Sequence, residues 1–199
     1  MEELSTEFWN TRYLENNIGW DLGGVSPALK YWMDELKDTS NKILIPGAGN
    51  AYEVDYLIQR GFQDITVVDI APQLISELKK RFDKLKQVTI ILGDFFELTG
   101  SFDIILEQTF FCALAPSLRS AYVIKMASLL TPNGRLLGVL FNRDFNGGPP
   151  FGGSTEEYRD LFQQAFEVTF FPCQVSHPAR KGSEVLFEAK LKLADRFKS

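Results

Sequence analysis

Short apolar runs alternate with stretches of helical periodicity along most of the chain. Five runs rich in aliphatic and β-branched residues predict buried strands of a parallel sheet, at 42–46, 64–70, 88–92, 101–107 and 135–141. Apolar residues recur at helical spacing between these runs, so the segments that connect the strands are predicted to be helices.

The end of the chain has a different pattern. Two more strands are predicted at 167–175 and 183–192. The link between them is too short for a crossover helix, so we expect these two strands to pair antiparallel. The whole pattern predicts an α/β fold, doubly wound and Rossmann-like, with a seven-stranded, mostly parallel sheet, a C-terminal antiparallel hairpin and helices on both faces.

The first forty residues contain two predicted helices, and the second begins at Ser26-Pro27. We interpret residues 1–199 as one domain, in which 1–40 form a helical cap on a core of 41–199. All three tryptophans lie in the cap, at Trp9, Trp20 and Trp32. They either pack as core or belong to a lid that faces a ligand.

A glycine turn follows the first predicted strand, where the chain reads "IPGAGNAYEV". Gly47 and Gly49 lie in the turn, and Asn50 with Glu53 is typical of a capping box that begins a helix. A dinucleotide-binding turn carries a third glycine, where this chain has Tyr52, and an acid in the first helical turn repels pyrophosphate. The turn therefore favours an adenosine ligand that carries positive charge and no phosphate, such as S-adenosylmethionine.

Acidic residues follow the next predicted strands. Asp69, at the end of the second strand, stands where an acid accepts the hydroxyl groups of an adenosine ribose. Asp94 follows the third strand, and Phe95 beside it offers an apolar surface for adenine. Because the carboxyl ends of parallel strands meet at one edge of a sheet, we expect these residues and the glycine turn to form one adenosine site.

Composition narrows the classes of partner. The formal net charge is −5, which argues against a nucleic-acid partner because phosphate binding needs a basic face. The two cysteines form no CxxC pair and are predicted to be free thiols in a reducing compartment. With no signal peptide and no membrane span predicted, we expect a cytoplasmic monomer that acts on a small molecule. No metal site is predicted.

Several motifs resemble a known family. "IPGAGNAYEV", "VVDI", "GDFF" and "FDIILE" resemble motifs one to four of the class I S-adenosylmethionine-dependent methyltransferases. "WDLGGVSPAL", "FDIILEQTFFCALAP" and "GGPPF" resemble the thiopurine S-methyltransferase superfamily, nearest its thiol and halide methyltransferase branch. The resemblance spans about residues 8 to 190.

The resemblance implies roles for particular residues. Trp20 would flank the methionine part of the cofactor, and Glu107 would sit close to its amino group. The loop at 147–151 and the N-terminal helix would roof the acceptor pocket. The implied cofactor-binding residues are Trp20, Gly47, Gly49, Asp69, Ile70, Asp94, Phe95 and Glu107.

The implied acceptor pocket departs from the family pattern. Gln108 stands where the family carries Arg or Tyr, and Phe141 stands where many thiol and halide members carry Tyr. The candidates for the pocket are Gln108, Phe110, Phe141 and Phe151, which predict an apolar pocket with few charged groups.

Such a pocket suits methyl transfer from S-adenosylmethionine to a small soft nucleophile, namely a thiol, thiocyanate, a halide or a thiopurine-like compound. Three alternatives stay open at this point. They are a methyltransferase for another small metabolite, a protein that binds the cofactor without catalysis, and a nicotinamide-dependent reductase. Tyr52 and the closing hairpin count against the reductase.

Overall fold

The structure is a computed structural model that describes residues 4–192. Its centre is one seven-stranded sheet with the strand order β3-β2-β1-β4-β5-β7-β6. The strands are β1 Lys42–Pro46, β2 Asp64–Asp69, β3 Val88–Leu92, β4 Phe102–Gln108, β5 Leu130–Phe141, β6 Phe166–Pro172 and β7 Glu184–Leu191. The seven predicted strands are all present.

Strand direction confirms the predicted topology and refines it. β1 to β5 pair parallel, and β7 pairs antiparallel with both β5 and β6. β6 therefore runs in the same direction as β1 to β5, with β7 inserted between β5 and β6. The carboxyl end of β6, and the link 173–183 that follows it, consequently lie at the same edge of the sheet as the ends of β1 to β5.

Helices cover both faces, and their bounds follow local sequence signals. Pro27 and Pro72 occupy positions in the first helical turn, where the missing N–H of proline costs no hydrogen bond. Ser26 and Ser154 are N-caps, and their side chains accept backbone N–H groups. The helices are α1 Thr6–Leu14, α2 Pro27–Glu35, α3 Tyr52–Gln59, α4 Pro72–Arg81, α5 Arg119–Leu129 and α6 Thr155–Phe162.

β5 begins five residues earlier than the sequence predicts, at Leu130 rather than at Arg135. Leu130 pairs with Phe102, and the next pair along joins Arg135 to Ile104. The residues "TPNG" between these two pairs interrupt the regular pairing of β4 with β5. The sequence instead predicted that they form a turn between α5 and the strand. The turn-forming residues form a bulge inside the strand.

The core lies on both sides of the sheet. One apolar cluster joins α2, α3 and α4 to the sheet, and a second joins α5 and α6 to the opposite face. α2 belongs to the core, since Trp32 is buried and its Nε1 donates a 2.9 Å hydrogen bond to the Gly138 carbonyl. α1 has no buried residue and lies against this layer through its aromatic side chains.

The boundary between cap and core stays a prediction, and residues 1–3 and 193–199 of the predicted domain lie outside the described residues. Within residues 4–192, no helix is both long and apolar enough to cross a membrane.

We expect Gly138→Ala to destabilise the fold by about 1–3 kcal/mol, because overpacking of this size has that cost. A Cβ at this position would lie 2.5 Å from the Glu107 carbonyl oxygen and 2.7 Å from the ring of Phe187. Urea unfolding measures the change. Gly19→Ala is the control, because a Cβ there meets nothing within 4 Å. Equal unfolding midpoints for the two variants would contradict this account of the β4–β5 contact.

Candidate active site

A cavity of about 560 Å³ opens at the carboxyl ends of the strands. Most of the residues predicted from the sequence line it together, although they come from distant parts of the chain. These residues are Trp20, Gly47, Gly49, Asp69, Ile70, Asp94, Phe95, Gln108, Phe110 and Phe141. Glu107 and Phe151 do not line this cavity.

The glycine turn brings bare backbone to the floor of the cavity. Gly47 and Gly49 have φ values of +59° and +51°, in the left-handed region that favours glycine. A Cβ on Gly47 would lie 2.9 Å from Phe110 Cγ, so only glycine permits this contact between the turn after β1 and the turn after β4. The same backbone is thereby left open for a ligand to approach.

The predicted capping box at Asn50 is wrong. The N-cap of α3 is Ala51, which has a φ of +51° and no side-chain cap. Asn50 instead donates its side-chain amide to the Asp21 carboxylate, which also accepts from the Tyr52 hydroxyl at 3.2 Å. The Asn50 amide is thus engaged by the N-terminal loop, and this tertiary contact links the loop to the glycine turn.

Acidic groups surround the part of the cavity near β1, β2 and β3. Asp69 Oδ1 accepts from the Ala71 N–H at 3.0 Å, and burial raises the pKa of its carboxyl. Glu53 is 9% exposed in the first turn of α3, and burial raises its pKa to about 7. Asp94 Oδ1 accepts from the Phe96 N–H at 2.8 Å, which fixes the short turn that carries Phe95.

Glu107 has a structural environment that the sequence did not indicate. Its side chain is fully buried, and Oε1 accepts from the N–H groups of Phe110 and Phe111 at 3.0 Å each. Its Oε2 accepts from the Tyr122 hydroxyl at 2.6 Å, and burial raises its pKa to about 7. The carboxylate therefore fixes the turn after β4 from behind and does not line this cavity, while its implied place close to the amino group of the cofactor stays a prediction.

Aromatic side chains from the N-terminal segment cover the cavity. Trp20 makes edge-to-face contacts with Trp9 and Tyr13, at centroid distances of 5.6 and 5.8 Å. All three line the cavity. Trp9 and Trp20 therefore face the candidate site, while Trp32 is core, so each of the two interpretations of the tryptophans holds for different residues.

Two arginines at the acceptor end were missed from the sequence. Arg180 is 8% exposed, donates to the Trp20 carbonyl at 2.8 Å, and has its guanidinium 5.5 Å from the centre of the Phe141 ring. Arg143 follows β5 and also lines the cavity. Arg180 lies in the link that was interpreted only as a hairpin turn. The direction of β6, parallel to β1–β5, brings this link to the edge of the sheet where the cavity opens. The sequence pattern did not indicate that direction.

Phe151 lies behind the acceptor end. Its N–H donates to the Cys112 carbonyl at 2.7 Å, while Pro149 and Pro150 line the cavity. Arg119 binds the same loop by donating to the Gly152 carbonyl at 2.7 Å. The loop at 147–151 thus reaches the cavity through its prolines, and its phenylalanine fastens it to the core.

Acidic residues are most numerous on one half of the cavity lining, which also includes Arg12 of α1. Asp69, Asp94 and Glu53 follow β2, β3 and β1, on one half of the sheet. The acid-rich half of the cavity suits a cationic group.

Arg143 and Arg180 lie beside β5 and β7, on the other half of the sheet. Arg180 is paired with the buried side chain of Glu184 at 3.5 Å, so the exposed Arg143 is the arginine of this half that has no carboxylate partner within the described residues.

Comparison with known proteins agrees with this geometry. Residues 4–193 match the family described as thiopurine S-methyltransferase (TPMT). The chain is 30% identical to "Probable thiol methyltransferase 2" of Arabidopsis thaliana over 94% of this chain and 85% of that protein. It is 26% identical to "Thiocyanate methyltransferase 1" of Brassica oleracea over 89% of this chain and 82% of that protein.

A solved structure has the same fold. The 1,6-didemethyltoxoflavin-N1-methyltransferase of Burkholderia thailandensis, crystallised with 1,6-didemethyltoxoflavin and S-adenosylhomocysteine, superposes with a TM-score of 0.75 at 20% identity. The match covers 94% of this chain and 87% of that chain.

The sheet order, the glycine turn and the sequence match define an S-adenosylmethionine-dependent methyltransferase. The chain belongs to the thiopurine S-methyltransferase family. The predicted family, fold, class of enzyme and cofactor are confirmed. The residues also fit this cofactor, because the bare backbone of Gly47 and Gly49 and the buried Glu53 in the first turn of α3 suit its positively charged, phosphate-free end better than they suit a pyrophosphate.

We expect the stability of the protein to fall as the pH rises from 5 to 8, and Glu53→Gln to reduce this fall by about 1–3 kcal/mol. The raised pKa means that Glu53 stays protonated in the folded protein between its ordinary value of 4.5 and about 7, while the unfolded chain loses the proton. The stabilisation is therefore complete below pH 4.5 and is lost as the pH passes 7.

Urea unfolding at several pH values, without ligand, measures this slope. Glu97→Gln is the control, because Glu97 is exposed. A Glu53→Gln slope equal to that of the wild type would mean that the pKa of Glu53 is not raised in the folded protein.

Proposed function

We propose that this methyltransferase acts on a small soft nucleophile that binds as an anion, such as a thiolate, thiocyanate or a halide. The observation that carries this proposal is the placement of Arg143 and Arg180 at the acceptor end, opposite the acids of the cofactor end. An acceptor with positive charge would meet the Arg143 guanidinium there, beside the pair of Arg180 and Glu184. The relatives described as thiol and thiocyanate methyltransferases support the same chemistry.

We propose that the cofactor lies along the ends of β1, β2 and β3. Asp69 accepts the ribose hydroxyls, the ring of Phe95 packs on adenine, and Asp94 is placed to accept its amino group. The backbone at Gly47 and Gly49 contacts the methionine part, beneath Trp20. In this arrangement Glu107 acts indirectly, by fixing the turn that carries Phe110.

S-adenosylmethionine, when bound, supplies a methyl group on a positively charged sulfur that is already a good leaving group. The chain therefore needs to align the nucleophile and exclude water. Aromatic side chains and the prolines of the loop 147–151 exclude water, while Arg180 and Gln108 orient the acceptor. Cys112 is not a nucleophile in this scheme, because burial raises the pKa of its thiol to about 12.

A thiol acceptor reacts as its thiolate, which a positively charged pocket favours without a strong general base. We further propose a monomer that acts in the cytoplasm on small molecules, without a nucleic-acid partner. The net charge of −5 and the two free cysteines support this setting.

A methyl-transfer assay with S-adenosylmethionine tests the acceptor class. We expect thiocyanate, iodide, 2-mercaptoethanol and 6-mercaptopurine to include good acceptors, and primary amines and alcohols to be poor ones. Formation of S-adenosylhomocysteine is the readout. Binding of the cofactor with no turnover of any compound would favour a cofactor-binding protein without catalysis, and preference for an amine would contradict the anionic acceptor.

We expect Asp69→Asn to weaken S-adenosylmethionine binding about 10-fold to 100-fold, because hydrogen bonds to a charged acceptor contribute about 1.5–3 kcal/mol. Titration calorimetry measures the dissociation constant. Asp64→Asn is the matched control, since Asp64 begins the strand that Asp69 ends. Equal affinities for the two variants would mean that the ribose lies elsewhere.

A further inference from the structure

Gln108 is the polar side chain that ends β4 at the cavity, and one of its two amide atoms is already engaged. The Ser26 hydroxyl donates to Gln108 Oε1 across the boundary between the N-terminal segment and the sheet. Ser26 is only 2% exposed, so water does not compete for this contact. The hydrogen bond joins the N-cap of α2 to the turn beside the acceptor.

The orientation of the amide follows from the hydrogen bonds of Ser26. Its Oγ accepts the Leu29 N–H at 3.1 Å as the cap of α2. A serine hydroxyl has one proton to donate, and at a buried site that proton needs an acceptor. If the amide were reversed, its nitrogen would donate to Oγ, and the hydroxyl proton would lose its acceptor Oε1. Oε1 therefore faces Ser26.

The amide nitrogen is consequently left for the cavity. Gln108 lines the cavity, and Nε2 donates to no residue between 4 and 192. In this part of the chain, the buried polar atoms that lack a partner are Arg119 Nε and Glu184 Oε2. Gln108 Nε2 is not one of them. Two N–H groups thus remain for a ligand, on the half of the cavity that carries Arg180.

Resting on the proposed function, we infer that Ser26 is a positioning residue for substrate specificity, which holds the Gln108 amide so that its N–H groups bind the anionic atom of the acceptor. A carbonyl oxygen in the same place would repel a thiolate or thiocyanate. Gln108 then contributes neutral donors beside the charge of Arg180. Gln108 and Arg180 together therefore favour an acceptor that binds as an anion.

Ser26 and Gln108 form no covalent bond during methyl transfer. A thiol loses its proton to solvent before the reaction, and its sulfur electron pair forms the bond to the methyl carbon. The bond from that carbon to the cofactor sulfur breaks, and its electron pair stays on that sulfur. Because the N–H groups stabilise the thiolate over the thiol, they lower the pKa of the bound thiol.

Gln108→Glu tests the donors. It keeps the shape of the side chain and turns a carboxylate oxygen towards the acceptor. We expect the KM for thiocyanate to rise about 10-fold or more, since a hydrogen bond to a charged group has that value. We expect the KM for S-adenosylmethionine to change less than about 2-fold. With 2-mercaptoethanol as the acceptor, the activity of Gln108→Glu should rise with pH at higher pH values than the activity of the wild type. With thiocyanate, the two pH profiles should coincide.

Ser26→Ala tests the positioning. It removes the donor to Gln108 but also an N-cap, so Ser154→Ala is the matched control, because Ser154 caps α6 and lies outside the cavity lining. We expect Ser26→Ala, and not Ser154→Ala, to raise the KM for thiocyanate about 5-fold to 10-fold. Ser26→Thr keeps the hydroxyl, so its KM for thiocyanate should be close to that of the wild type. Thermal unfolding checks that each variant folds.

Direct binding separates this inference from the proposed function. Thiocyanate is titrated into the protein saturated with S-adenosylhomocysteine, so that no turnover is needed. Weaker thiocyanate binding in both Gln108→Glu and Ser26→Ala supports the inference even if no acceptor is methylated. Equal thiocyanate binding by the wild type and Gln108→Glu, or equal loss in Ser26→Ala and Ser154→Ala, overturns it even if the enzyme is active.

Discussion

The buried carboxylate of Glu107 is the interaction on which the site depends. It binds two successive backbone N–H groups, at Phe110 and Phe111, and the hydroxyl of Tyr122 on α5. These bonds hold the turn after β4 in place, with Phe110 against the bare backbone of Gly47. Removing a partner from such a buried group leaves it unsatisfied at a cost of about 1–3 kcal/mol. The turn that carries Gln108 is thus built into the core.

The N-terminal segment is fastened to both halves of the cavity by polar contacts rather than by apolar packing alone. Asp21 accepts from Asn50 and Tyr52 beside the glycine turn. The Trp20 carbonyl accepts from Arg180 at the acceptor end. α2 adds the apolar contact, since its Ala28, Leu29, Trp32 and Met33 are buried against the sheet. The segment therefore belongs to the site as much as to the fold.

Local patterns were sufficient to predict the fold, because buried parallel strands read as continuous apolar runs and the carboxyl ends of such strands meet at one edge. The same reasoning brought Asp69 and Asp94 together with the glycine turn. It failed for Asn50, whose partner Asp21 is distant in sequence. It also did not show the hydrogen bonds of Glu107, because spacing does not show which way a side chain at the end of a strand turns. Arg180 was missed because its place depends on the direction of β6, which is set by pairing with β7.

One loop contacts both halves of the cavity, through Trp20 and Asp21. Trp20 lines the cavity, while its carbonyl is one partner of the buried Arg180 guanidinium, which also contacts Glu184. A displacement of this loop would therefore remove a hydrogen-bond partner from Arg180 at the acceptor end. The two halves of the cavity consequently share one structural support, which contacts the glycine turn through Asp21 and the acceptor end through the Trp20 carbonyl.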